Sequence, residues 1–111
     1  SVMIRVTISR TKNNQVTSFW LSGHADYADS GQDIVCSAVS VLAINTVNAL
    51  SMYTSQKFET DMDEESGTFI VNFPEALSHD AELLVNTMIL GLRSIENDYS
   101  EKYIHVEFRE V

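Results

Sequence analysis

Apolar and polar residues alternate at the start of the chain. Ile4, Val6 and Ile8 share one side of a period-two repeat with Arg5, Thr7 and Ser9 opposite, which predicts a half-buried strand. Lys12, Asn13 and Asn14 supply turn chemistry, and residues 15–24 resume extended character with Phe19 and Leu21 on one face and Trp20 on the other. The two segments are expected to pair as a hairpin. Polar residues 25–33 follow and are expected as a loop, with Gly23 and Gly31 permitting backbone angles that other residues avoid.

The period then changes. Residues 34–53 contain neither proline nor glycine, and Val35, Val39, Leu42, Thr46 and Leu50 recur at helical spacing, with Asp33 placed to cap the N-terminus. Ser37, Val41, Ile44 and Asn48 lie on the other side, a partly apolar second face to be covered by another layer or another subunit. Residues 57–62 and 68–73 flank the acidic turn at 63–67, and Phe69, Val71 and Phe73 share a face, as in a second hairpin. Pro74 ends it. Ser78 is a helix cap, Asp80 and Glu82 suit a helix start, and Ala81, Leu84, Val85, Met88, Leu92 and Ile95 form an apolar stripe. Gly91 inside this helix costs about 1 kcal/mol relative to alanine, which close helix packing would compensate. Residues 102–109 alternate again, with Ile104, Val106 and Phe108 inward. The order ββαββαβ predicts an α+β fold, two helices packed on an antiparallel or mixed sheet, with no internal repeat, linker or low-complexity tract.

Composition narrows the class. The 111 residues suit one domain, 1–111, with Ser1 and Val2 ahead of Met3 set aside as a remnant; 44% apolar and 21% charged residues are globular proportions. One cysteine allows no internal disulfide and no secretory leader is evident, so a cytoplasmic protein is expected. No uninterrupted apolar run reaches the ~18–20 residues a bilayer requires, because residues 34–50 carry Ser37, Ser40, Asn45 and Asn48. Seven Lys and Arg against sixteen Asp and Glu leave a net charge of −9, which disfavours direct nucleic-acid binding. Between residues 58 and 101, Arg93 stands alone against eleven acidic residues, a surface that attracts a basic partner or simply keeps the protein soluble.

The single thiol, Cys36, follows His24 by twelve residues. A thiolate nucleophile needs a proton acceptor and something to favour its ionised form. If Asp33 caps the helix, Cys36 sits in the first turn, where amide dipoles stabilise negative charge; no Lys or Arg is near in sequence, so His24 is the natural charge partner. Cys36 alone would be read as a small buried hydrophobe and His24 alone as a structural residue; their joint placement at a strand end and a helix start favours chemistry. Asp33 also suits orienting His24, and Ser22, Ser37 and Ser40 suit donating hydrogen bonds nearby. His79 and His105 are weaker bases. A metal held by His24, Asp26, Asp29, Asp33 and Cys36 matches no compact zinc motif, so none is expected.

Gly23-His24-Ala25, followed by Gly31-Gln32-Asp33-Ile34-Val35-Cys36-Ser37-Ala38-Val39-Ser40, resembles the ribosomal-processing cysteine protease family, Prp, and the likeness runs through Thr46-Val47-Asn48 over essentially the whole chain. Ser37 stands where alanine is expected in many relatives. The resemblance implies a bacterial endopeptidase that removes a short N-terminal extension from a large-subunit ribosomal protein, with His24 and Cys36 matching the catalytic pair and no cofactor. It also implies apolar residues, including an aromatic, just before the cut, a homodimer, and a mobile loop over residues 25–32. Two rivals use the same residues differently: a non-catalytic dimeric module that binds ribosomal proteins, and a thiol esterase or acyl-transfer enzyme.

Overall fold

A computed structural model describes residues 3–23, 30–63, 65–99 and 103–111, with residues 30–33 described by backbone alone. Strands β1 (Ile4–Arg10) and β2 (Val16–Ser22) precede helix α1 (Ser30–Tyr53); β3 (Glu59–Asp63) and β4 (Thr68–Asn72) precede α2 (His79–Asp98), and β5 (Ile104–Glu110) closes the order. The sheet runs β3-β4-β2-β1-β5. Among the described strands only the β1–β5 pair is parallel, so the sheet is mixed.

Alternation in the strands sets the core. Ile4, Val6, Ile8, Phe19, Leu21, Val71, Ile104 and Val106 are buried on the helix-bearing face, whereas Trp20 on the opposite face is exposed. The helices complete the core with Val35, Val39, Ala43 and Leu50 from α1 and Ala81, Val85, Met88 and Leu92 from α2. Thr46, also buried, donates its hydroxyl to the Leu42 carbonyl oxygen at 2.7 Å, so burial leaves the hydroxyl satisfied. By length and composition residues Ile34–Tyr53, with mean hydropathy 1.7, would suffice to cross a bilayer. Window-averaged hydropathy tolerates the serines and asparagines that interrupt the apolar runs, and here one stripe of that segment fills the core.

Two local features match their sequence signals. Ala81 donates its backbone N–H to Ser78 Oγ at 3.2 Å, capping α2. A Cβ built on Gly91 would stand 2.9 Å from Leu42 Cδ1, so the glycine lets α1 and α2 approach closely. One boundary departs from expectation. Helix α1 begins at Ser30, so Asp33 is not its N-cap, and Ser30, Gly31 and Gln32 are helical rather than part of a loop. Apolar periodicity starts only at Ile34 and is silent about a preceding polar turn, while Asp suits the dipole of a helix's first turn as well as its cap.

Candidate active site

Strand β2 and helix α1 form two walls of a cleft of about 440 Å³. Leu21 and Ser22 come from the end of β2; Cys36, Val39, Ser40, Ala43 and Ile44 come from successive turns of α1. Helical spacing explains the second set, because residues three and four apart share a face. Phe69 and Met62 close the cleft from the β3–β4 hairpin, where the two are cross-strand partners. The cleft is lined mainly by apolar side chains, of the size and character that accept side chains of a peptide.

Cys36 is half-buried: its side chain packs against the core and reaches the cleft wall. As the seventh residue of α1 it lies in the second turn, not the first. The dipole effect falls off within the first turn, so the helix would favour a thiolate at Cys36 less than an Asp33 cap implies.

The other residues singled out by sequence divide clearly. Ser40 lies one turn beyond Cys36, and both line the cleft, as does Ser22. Ser37 is exposed and is not part of the cleft wall. Gly23 has φ +97°, and a Cβ there would lie 2.3 Å from the Met3 carbonyl oxygen, so glycine is required where the chain leaves β2 beside β1. His24, Asp26 and Asp29 lie outside the described residues, as does the 25–29 part of the loop expected at 25–33. Neither of the two described histidines lines the cleft: His79 is exposed at the start of α2, 3.5 Å from Asp80, and His105 on β5 lies 3.8 Å from Glu96 and 3.7 Å from Glu107.

Sequence reasoning missed Met62 as a wall residue. Alternation placed Phe69 inward, but the pairing of Met62 with Phe69 depends on hairpin register, which periodicity alone does not set.

A thiol on the wall of an apolar cleft, in an α+β fold, defines a candidate sulfur nucleophile with room for a peptide beside it. A family model described as cysteine protease Prp matches residues 3–105. The ribosomal processing cysteine protease Prp of Bacillus subtilis (strain 168) is 37% identical over 103 residues, 89% of this chain and 92% of that protein. A crystal structure of the essential ribosomal processing protease Prp from S. aureus in complex with a substrate peptide superposes with TM-score 0.90 at 30% identity, covering 96% of this chain and 100% of that one. A second S. aureus structure, with a covalently linked product peptide, gives TM-score 0.86 at 31% identity and covers the same shares of the two chains. The chain belongs to the cysteine protease Prp family.

Proposed function

We propose that the chain works as one endopeptidase domain that removes a short N-terminal extension from a basic protein of the large ribosomal subunit, in the cytoplasm, with Cys36 as nucleophile and His24 as general base and acid. The observation that carries this reading is Cys36 on the wall of an apolar cleft. Ser22 lines the same cleft, and His24 follows it by two residues in sequence, a separation that even a fully extended chain limits to roughly 7 Å.

In the reaction, His24 takes the thiol proton and the Cys36 thiolate adds to the scissile carbonyl carbon, pushing the π pair onto oxygen. Collapse of that intermediate breaks the C–N bond as His24 returns the proton to the leaving amine. Water, deprotonated by His24, then hydrolyses the thioester and restores the thiol. No step requires a metal or cofactor. Ser40 and Ser22 are hydroxyl donors at the cleft wall, and Asp33, close to Cys36 in the first turns of α1, orients the imidazole.

A homodimer joined through α1 belongs to the same reading. Val41, Ile44 and Met52 are exposed on its outer face, with Ser37 and Asn48 beside them, an apolar patch of the kind a second subunit covers. The test of function is mass spectrometry of large-subunit ribosomal proteins after incubation with parent and Cys36→Ala protein. Parent should shorten one of them at its N-terminus and the variant should not; shortening by both, or by neither, refutes the reading. The non-catalytic binding module predicts the last outcome.

A further inference from the structure

Seven Lys and Arg serve a chain with sixteen Asp and Glu, so two neighbouring arginines without a carboxylate partner stand out. Arg10 ends β1, and Arg93 is exposed on α2 next to the buried Leu92. Both reach one aromatic ring. The Arg10 guanidinium carbon stands 4.0 Å from the centre of the Phe108 ring, and that of Arg93 stands 5.4 Å from it. Among the described residues neither guanidinium joins an ion pair or donates a hydrogen bond. Even Glu110, the register partner of Arg10 on β5, forms no ion pair with it.

The backbone holds this arrangement in place. Val111 donates its N–H to the Arg10 carbonyl oxygen at 3.0 Å, tying the ends of β1 and β5 together. The β1–β2 register shifts between Ser9 and Arg10, an irregularity of the kind that re-aims a side chain. Phe108 pairs with Ile8, faces the helix-bearing side and packs against the core, so its ring is a fixed platform. Stacking on a ring engages the face of a guanidinium and leaves its N–H donors, which lie in the plane of the group, for another acceptor. Two cations held beside one ring also repel, and an anion taken up between them relieves that repulsion.

We propose that Arg10 and Arg93 form a binding site for the phosphate groups of a small polyphosphate, inorganic pyrophosphate or the tail of a nucleoside di- or triphosphate. Guanidinium forks pair bidentately with phosphate oxygens, and a phosphate presents enough oxygens for two forks at once. A carboxylate offers only two oxygens, fewer than two forks can use. A polynucleotide would need a track of cations, which a net charge of −9 opposes. The site stands apart from the cleft: Ile4 lines the cleft at one end of β1, and Arg10 ends the other, roughly 20 Å away.

The test is isothermal titration calorimetry of the parent protein with inorganic pyrophosphate, with acetate and a short single-stranded RNA as rival ligands. Pyrophosphate should bind, and Arg10→Gln and Arg93→Gln should each weaken it at least about tenfold, the loss expected when a charge-assisted partner is removed. Replacing both arginines by lysine keeps the charge, removes the planar forks, and should weaken binding by a similar factor. Lys57→Gln removes a cation paired with Glu75 elsewhere on the surface and should leave affinity within about twofold of parent, because salt screens distant charge. Arg93 is exposed, so Arg93→Gln tests the site in a folded protein whatever becomes of Arg10→Gln, with circular dichroism as the check on folding. Absence of pyrophosphate binding, equal weakening by Lys57→Gln, retained affinity in the double lysine variant, or tighter binding of acetate or RNA than of pyrophosphate overturns the inference.

Discussion

Replacing Gly23 with alanine should damage the site and the fold together, and the structure sets the scale. At φ +97° an L-residue is strained by roughly 1–3 kcal/mol. The added Cβ would also stand 2.3 Å from the Met3 carbonyl oxygen and 3.1 Å from Ile4 Cα. Both are backbone atoms, so relief requires the ends of β1 and β2 to move apart rather than a side chain to rotate. A total loss of roughly 2–4 kcal/mol follows, which for a domain of this size lowers the melting temperature by roughly 10–20 °C. The same movement displaces Ser22 at the cleft wall and the chain entering His24, so activity should fall further than stability explains. Leu92→Ala is the control: Leu92 is fully buried in α2 and does not line the cleft, and its truncation costs roughly 2–5 kcal/mol without moving β2. Thermal unfolding and kcat/KM would be measured for both variants well below their midpoints. Gly23→Ala should lose at least about tenfold in kcat/KM where Leu92→Ala stays near parent, since about 1.4 unfavourable kcal/mol at the site amounts to that factor. A Gly23→Ala protein with parental melting temperature, or with kcat/KM matching Leu92→Ala, would refute the reasoning.

Three further outcomes follow from single contacts. Gly91→Ala should be close to neutral in urea unfolding, because the helix gain of about 1 kcal/mol is offset by pushing the flexible end of Leu42, whereas Gly91→Val should destabilise measurably. Ser78→Ala removes the acceptor for the Ala81 N–H and should lower stability by about 1 kcal/mol with kcat/KM unchanged. Val41→Asp places charge on the outer face of α1, away from the cleft, and under the proposed dimer should yield a monomer in analytical ultracentrifugation.

The strands were legible because one face of each is buried. Ile4, Val6, Ile8, Phe19 and Leu21 alternate strictly, and the structure buries all five. The α2 stripe was equally clear, since Ala81, Val85, Met88 and Leu92 point into the core along one side of a helix whose other side is solvated. The start of α1 was not legible: Ser30, Gly31, Gln32 and Asp33 are polar, and a helical turn that buries nothing leaves no periodic trace. The parallel pairing of β5 with β1 was left open for a related reason, because alternation marks which face is buried but not which neighbour or direction a strand takes. At the site, one thiol in a short polar-to-apolar transition identified Cys36, while Met62 and Phe69 became wall residues only through hairpin register.

Under the proposed mechanism His24 favours the ionised form of Cys36, and thiol alkylation across pH tests that most directly. An ordinary thiol, with a pKa near ~8.5, alkylates about a hundredfold more slowly at pH 6 than at pH 8.5. Iodoacetamide labelling of Cys36, followed by intact mass, should proceed in the parent at pH 6 within a few-fold of its rate at pH 8.5, and His24→Ala should restore the ordinary hundredfold decline. A parent thiol that declines like an ordinary one, or a His24→Ala thiol that labels as the parent does, would contradict the account.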